Sequence, residues 1–364
     1  MHSGLITKLF PVPKYLDPSL VGVDVSGKSL KFVEFKEKRG KLIIEKFGEE
    51  FFPEGCIENG EVIDDANFIK ILKNIKNKHN IKNIAVSLPE EKAFIFTISI
   101  PYVEPKKLRG SIELQMEGHI PVPVNTIEFD FNIIGYNKDS EEICVNISAL
   151  PIQTINSYYE IFEKAGLIPL RFETDAQAIP RAIIPRNDVG TFLITDIGRT
   201  HTSFYIYSKG RIEFTSTIDF GGDTITNTIM KEKKVSYEEA EKSKIEDAYL
   251  LGGKKNEMFR IVISPLSVLR DEIKKYIQFW EGKMESKKIG KVDKIIFTGG
   301  GSNLKGANEF FSTYLEIPFE LANPWTNIFI PKTEVPPVHH DESLKYSAAI
   351  GLALANHIKS NNND

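Results

Sequence analysis

Cysteine is nearly absent: Cys56 and Cys144 are the only two in 364 residues. They lie far apart, with no C-x-x-C pair and no histidine cluster at zinc spacing. The chain therefore offers neither a disulfide framework nor a thiolate zinc site, and the pair reads as two reduced thiols of a cytoplasmic protein. His339-His340 beside Asp341 falls in a Pro-rich stretch and reads as a loop rather than a metal site. Long hydrophobic runs are also lacking. None approaches the roughly 20 residues that cross a bilayer, and the apolar patch Leu5, Ile6, Leu9 and Phe10 is too short and too weakly charged for a secretory signal. There is no excess of positive charge, since 46 Lys and Arg stand against 50 Asp and Glu. The net charge of -4 gives no general pull toward nucleic acid or anionic lipid. What remains is 41% apolar and 26% charged residues, a soluble globular composition long enough for two domains.

What is present is one turn written twice. Val21-Gly22-Val23-Asp24-Val25-Ser26-Gly27-Lys28-Ser29 runs into Leu30–Phe35, and Leu193-Ile194-Thr195-Asp196-Ile197-Gly198-Arg199-Thr200-His201-Thr202 runs into Ser203–Tyr207. Each copy is a short apolar strand ending in aspartate, a tight turn rich in Gly and hydroxyl residues, and a second strand. Facing each other, two such hairpins can clamp a phosphate chain. Successive N–H groups converge on the anion, Ser29, Thr200 and Thr202 offer hydroxyls, and Asp24 and Asp196 hold Mg²⁺ through waters. Two unrelated hairpins with Asp at favoured turn positions remain the plainer alternative.

Residues Gly22 to Ser29 also satisfy the literal G-x-x-x-x-G-K-[ST] pattern of a P-loop, with Phe192 to Asp196 as its accompanying strand. A P-loop opens a helix, whose N-terminus favours phosphate. Residues 30–47 instead hold two apolar runs joined at Arg39-Gly40, which is a hairpin pattern. The P-loop reading stays behind the hairpin reading for that reason.

Along the chain, residues 1–18 read as an arm. Three strand-like runs from Leu20 to Phe52 precede a helix capped by Asp64 and carrying Phe68, Ile71, Leu72 and Ile75, and strands return at Ile84–Leu88 and Ala93–Ile100. An α+β block spans about 101–170. Phe220-Gly221-Gly222-Asp223 opens a largely helical stretch, in which Ser236-x-x-Glu239 is a capping box. Lys294–Thr298 is a buried strand leading into Gly299-Gly300-Gly301-Ser302-Asn303 and a helix through Leu304, Phe310, Phe311 and Leu315.

This ordered set resembles the actin-like ATPases and, within them, the PilM family of type IV pilus assembly proteins, which is similar to FtsA. The segments that carry the resemblance are Met116–Pro123 leading to Glu128–Phe131, Lys164-Ala165-Gly166-Leu167, Ala240-Glu241-Lys242-Ser243-Lys244, Leu321-Ala322-Asn323-Pro324-Trp325 and Ala349–Leu354. It covers nearly the whole chain after Leu20.

The resemblance implies an α/β, actin-like ATPase fold: two ribonuclease-H-like lobes, an inserted α+β subdomain in the first, and ATP with Mg²⁺ in the cleft. The expected first lobe is 19–189 and the second 190–340, with a helical subdomain at about 220–292. A C-terminal helix at 341–358 returns to the first lobe, and a disordered tail follows at 359–364. The implied phosphate contacts are Ser26, Gly27, Lys28 and Ser29 with Gly198, Arg199, Thr200, His201 and Thr202. The nucleoside falls to Gly221, Gly222, Asp223, Glu241, Lys244, Gly299, Gly300, Gly301, Ser302 and Asn303. Read without the resemblance, Glu241 and Lys244 are an exposed salt bridge on one helix face. In the first turn Ser26 stands where the family has Gly, at a cost of about 1 kcal/mol if positive φ is required.

No residue identifies itself as the base for water: Glu113, Glu117 and His119 fall in the inserted block, and slow or no ATP hydrolysis is expected. The implied partner is the cytoplasmic N-terminal segment of a PilN-like inner-membrane protein, in a groove beside the inserted subdomain, together with other pilus platform proteins. The chain carries no terminal amphipathic helix of FtsA type, so a cytoplasmic location peripheral to the inner membrane through a partner is expected. An FtsA-like filament scaffold and, less favoured, a small-molecule kinase of the same superfamily are the alternatives.

Overall fold

The computed structural model describes residues 19–137, 140–246, 257–287, 290–304, 307–329 and 335–357. The expected arm 1–18 and tail 359–364 lie outside the described residues.

The first lobe begins with strands β1 (Val21–Val25), β2 (Ser29–Lys38) and β3 (Lys41–Phe51), the two-residue strands β4 (Ile57–Glu58) and β5 (Glu61–Val62), helix α1 (Asp65–His79) and strand β6 (Asn83–Leu88). Strand β7 (Phe94–Pro101), helix α2 (Pro105–Met116) and strands β8 (Ile127–Asn137) and β9 (Glu142–Pro151) form a smaller unit. Helix α3 (Ile152–Ala165), strand β10 (Ile168–Thr174) and helix α4 (Asp175–Ile183) then return to the first lobe. The second lobe holds β11 (Thr191–Ile197), β12 (Thr202–Ser208), β13 (Arg211–Ile218), helices α5 (Gly222–Lys233), α6 (Tyr237–Glu246) and α7 (Glu257–Lys287), β14 (Lys294–Thr298), α8 (Ala307–Tyr314) and β15 (Phe319–Leu321). The one-turn helix α9 (His340–Ser343) and helix α10 (Ser347–Leu354) follow.

The two large sheets repeat one plan. Their strand orders are β10-β6-β1-β2-β3 and β13-β12-β11-β14-β15. In each, the central strand pairs antiparallel with the next in sequence and parallel with a later one, β6 for β1 and β14 for β11. Central strands are covered on both faces, which is why β1 and β11 read as near-continuous apolar runs. The β2–β3 connection has Arg39 at φ 54° and Gly40 at φ 76°, the positive pair that a tight hairpin uses. Gly22 to Ser29 thus passes from strand to strand rather than into a helix, and the P-loop alternative falls.

Helix α1 starts where Asp64 accepts the Asn67 N–H at 3.0 Å, and it ends at Asn80 in the left-handed region. Its Phe68, Leu72 and Ile75 are buried on the first sheet together with Tyr158, Ile161, Phe162 and Ala165 of α3. Burial of such side chains stabilises by about 1.5–3 kcal/mol each. The three-stranded sheet β7-β9-β8 has its own core, in which Ile98, Ile100, Val145 and Ile147 meet Leu108, Ile112 and Met116 of α2. This unit therefore runs from Phe94 to Pro151, against expected bounds of about 101 and 170, because β7 supplies one of its strands and α3 packs on the lobe.

Between the lobes, α4 and α10 share a cluster that joins Ala176, Ile179 and Ala182 to Ile194, Ala349 and Ala353. The approach is close. A Cβ on Gly22 would lie 2.1 Å from the Ala349 carbonyl oxygen, and one on Gly351 would lie 1.9 Å from that of Ala178. Small residues here let α10 seat directly on β1 and α4 beneath the cleft.

Candidate functional site

Both aspartate turns open onto one cleft of about 750 Å³, a size typical of small-molecule sites. Lining it are Asp24, Ser26, Gly27, Lys28 and Ser29 from the first hairpin and Asp196, Gly198, Arg199, Thr200 and His201 from the second. Gly222, Glu241, Lys244, Gly299, Gly300, Gly301 and Asn303 also line it. The hairpins meet because β1 and β11 are the central strands of their sheets and end at the same gap.

In the first turn, Ser26 donates both its N–H and its Oγ to the Ser29 carbonyl at 3.0 Å. Neither Ser26 nor Gly27 has positive φ. The penalty expected for Ser26 therefore does not arise, since a serine adopts this backbone without strain. The Ser29 hydroxyl donates to Glu49 Oε1 at 2.9 Å. In the second turn, Gly198 N donates to the His201 carbonyl at 2.9 Å, Thr200 Oγ1 lies 2.8 Å from His201 Nδ1, and His201 Nε2 lies 3.1 Å from Asp219. Gly299 at φ 83° passes so near that a Cβ would lie 2.4 Å from Asp196 Oδ1.

Four residues expected at the ligand lie off the cleft. Thr202 is fully buried and donates its hydroxyl to the Phe220 carbonyl at 2.7 Å. Ser302 is buried, with its hydroxyl on the Thr298 carbonyl. Gly221 packs α5 against the second turn, where a Cβ would lie 2.5 Å from the Arg199 carbonyl oxygen. Asp223 spends its carboxylate on side chains, Lys28 at 2.7 Å among them. A local carbonyl or cation took each polar group, a competition that sequence does not display. The strand β14 leads first into a single 3₁₀ turn, Gly300–Asn303, and the expected helix follows as α8 (Ala307–Tyr314), which carries Phe310 and Phe311 but neither Leu304 nor Leu315.

Glu241 and Lys244 pair at 2.6 Å, and both meet Thr226: its Oγ1 donates to Glu241 Oε2 at 2.5 Å and lies 2.8 Å from Lys244 Nζ. Glu113, Glu117 and His119 stay in the small β7-β9-β8 unit, where His119 stacks on Phe96, and none of them lines the cleft.

The cleft floor contains groups that the sequence did not single out. Asp24 accepts from Ser87 Oγ at 3.3 Å and faces Lys31 Nζ at 3.5 Å. Burial alone would lower the Lys31 pKa, but the charges of Asp24, Glu49 and Asp175 outweigh it and raise it. Asp196 makes no ion pair among the described residues, and the Lys31 charge only partly offsets what raises its pKa. Burial and then the Asp24 charge push its carboxyl up to about 7. Burial also pushes up Glu90, to about 7, and Asp175, on which Asp24, Asp196 and Glu90 act as well. Glu90 Oε2 accepts the Ala176 N–H at 3.1 Å, capping α4, while Glu90 Oε1 and Asp175 Oδ1 are buried without partners. Among the described residues no three His, Cys, Asp or Glu side chains converge to coordinate an ion directly. Asp24 and Asp196 suit Mg²⁺, which keeps much of its hydration shell, held through waters. Such an ion would offset the carboxylate repulsion at the cleft floor.

Comparison with known proteins places this geometry among relatives. The family described as type IV pilus assembly protein PilM matches residues 22–357. The cell division protein FtsA of Buchnera aphidicola subsp. Baizongia pistaciae (strain Bp) is 25% identical over 163 residues, which span 37% of this chain and 37% of that relative. Among solved structures, a PilM-PilN type IV pilus biogenesis complex superposes with a TM-score of 0.79 at 18% identity, covering 94% of this chain and 100% of that one. EutJ, an ethanolamine utilization protein from Carboxydothermus hydrogenoformans, gives 0.56 at 16% identity over 94% and 91%. MreB5 of Spiroplasma citri bound to ADP gives 0.53 at 11% identity over 91% and 94%. The shared architecture is the actin-like fold.

Proposed function

The chain belongs to the family of type IV pilus assembly protein PilM, and from that premise we propose that it binds Mg-ATP between its lobes and docks a PilN-like membrane protein. It is an actin-like component of type IV pilus assembly. The observation that carries the nucleotide reading is the convergence of two equivalent aspartate turns on one cleft. The MreB5 relative is described as bound to ADP, which supports the same reading of this fold.

In this reading the Ser26–Ser29 and Gly198–His201 turns hold the phosphates, and Asp24 and Asp196 hold the hydrated Mg²⁺. Glu241 and Lys244, oriented by Thr226, face the nucleoside, and Gly299 to Gly301 form the floor under it. Mg²⁺ would supply neutralising charge for the phosphates and for Asp196. Nucleotide closes the lobes and shifts a conformational population.

The solved relative described as a PilM-PilN complex supports the partner. We place the N-terminal segment of a PilN-like protein beside the β7-β9-β8 unit. No helix among the described residues is long and apolar enough to cross a membrane, and peripheral attachment through that partner is part of the proposal.

Thermal unfolding with and without Mg-ATP, in the wild type and in Asp196→Ala, tests the nucleotide reading. Ligand at 100 times its dissociation constant should add about 2.7 kcal/mol, and the shift should vanish in the variant. No shift in the wild type at millimolar Mg-ATP overturns it. Fluorescence anisotropy of a labelled PilN N-terminal peptide tests the partner, with no saturable binding as the contrary result.

A further inference from the structure

The two cations nearest the phosphate turns are already engaged, and by one carboxylate. Lys28, from the first turn, sets Nζ 2.7 Å from Asp223 Oδ2. Arg199, from the second turn, donates from Nε to Asp223 Oδ1 at 3.0 Å. The Tyr237 hydroxyl donates to the same Oδ1 at 2.6 Å and accepts from Arg199 Nη2 at 2.7 Å. The backbone fixes Asp223 to the second lobe, because its N–H donates to the Arg199 carbonyl at 2.8 Å and the Gly222 N–H to that of Gly198 at 3.0 Å. The Lys28 pair is therefore a bridge between lobes, while the Arg199 and Tyr237 contacts stay within one.

We propose that Asp223 is a built-in stand-in for phosphate: it holds Lys28 and Arg199, ties the lobes together through Lys28, and must surrender both cations to an incoming polyphosphate. This rests on the nucleotide reading above. The chemistry of exchange favours it. A carboxylate offers one negative charge, whereas a Mg-polyphosphate chain offers more charge and more acceptor oxygens to a guanidinium and an ammonium. The side chain of Asp223 is 14% exposed, against 36% for Lys28 and 43% for Arg199, so the cations, which line the cleft, can turn inward while the carboxylate stays at the rim. Burial alone would raise the Asp223 pKa, but hydrogen bonds from Lys28 and Tyr237 and the Arg199 charge outweigh it and keep the group ionised. Asp223 is thus a competitor of the ligand rather than a contact to the nucleoside.

The test uses the full chain with Asp223→Asn and Lys28→Gln. Affinities for Mg-ATP, inorganic tripolyphosphate and adenosine are measured by calorimetry, and the ligand-free radius of gyration by small-angle scattering. Asp223→Asn should open the empty lobes, tighten Mg-ATP and tripolyphosphate about tenfold, and leave adenosine unchanged. Lys28→Gln should open them equally without tightening either anion. Weaker or unchanged polyphosphate binding in Asp223→Asn overturns the proposal, as does an unchanged radius in both variants. Failure of wild type and variants alike to bind Mg-ATP or tripolyphosphate sinks the nucleotide reading instead, and the scattering still decides whether Asp223 bridges the lobes.

Discussion

The two aspartate turns occupy equivalent places in equivalent sheets, yet they carry opposite electrostatic loads. Asp24 has Lys31 and the Ser87 hydroxyl beside it. The Asp196 side chain makes no hydrogen bond or ion pair among the described residues, and although the Lys31 charge reaches it, Asp24, Asp175 and Glu90 crowd the same floor. The first site is internally neutralised and the second is not. Equivalent backbone positions thus present one aspartate already paired with a resident lysine and one whose negative charge is left largely unpaired.

The largest expected effect tests the neutralised side. Asp24→Asn leaves Lys31, nearly buried in β2, without its nearest counter-charge, and removing one partner of a buried pair is costly. Ligand-free stability by chemical denaturation should fall by about 3 kcal/mol. A loss within error would mean that Glu49 and Asp175 already suffice for Lys31.

Next comes Glu90, on the crowded side. Burial raises its folded-state pKa from the ordinary 4.5 to about 7, so between those values the native state holds a proton that the unfolded chain has released. The wild type should therefore lose stability as pH rises from about 4.5 to 7. Glu90→Gln keeps an oxygen for the Ala176 N–H and abolishes the titration. The variant should match the wild type near pH 4.5 and exceed it at pH 8 by about 2 kcal/mol. Parallel pH profiles would show that Glu90 is ordinarily ionised.

A smaller effect, of opposite sign to that at Asp24, is expected at Asp196. Asp196→Asn removes an uncompensated charge and should raise ligand-free stability by about 1 kcal/mol, while losing the gain from Mg-ATP. The twin substitutions should move the empty protein in opposite directions. If both destabilise equally, the contrast between the turns is not energetic.

How far sequence reaches follows from the same residues. The hairpins were legible because strand periodicity and two Asp-ended runs are local, as were the Asp64 cap and the reciprocal bonds of Ser236 and Glu239 at 3.0 and 3.2 Å. Lys31, Glu90 and Asp175 were not, because a strand, a turn and a helix start assemble them. A hint lay in the Lys within the apolar run Leu30–Phe35, since a charge on a strand buried on both faces requires a partner. Thr202 and Ser302 misled for the opposite reason, their hydroxyls being consumed by the carbonyls of Phe220 and Thr298. The bounds of the β7-β9-β8 unit were obscured because apolar helix positions such as Tyr158 and Phe162 do not reveal which sheet they cover.

The smallest effect concerns one place where the two turns differ in backbone chemistry, Ser26 against Gly198. From the sequence, a glycine at 26 would relieve strain if the turn required positive φ there. The structure reverses the sign: Ser26 has no positive φ, and its hydroxyl and N–H both close the turn on the Ser29 carbonyl. Ser26→Gly would add freedom to the unfolded chain and delete one hydrogen bond, so stability should fall by about 0.5–1 kcal/mol. At Gly198 a Cβ would lie 2.9 Å from the His201 carbonyl oxygen, and Gly198→Ser should cost more. A gain in stability from Ser26→Gly would mean that the first turn is strained after all and that the twins share one backbone requirement.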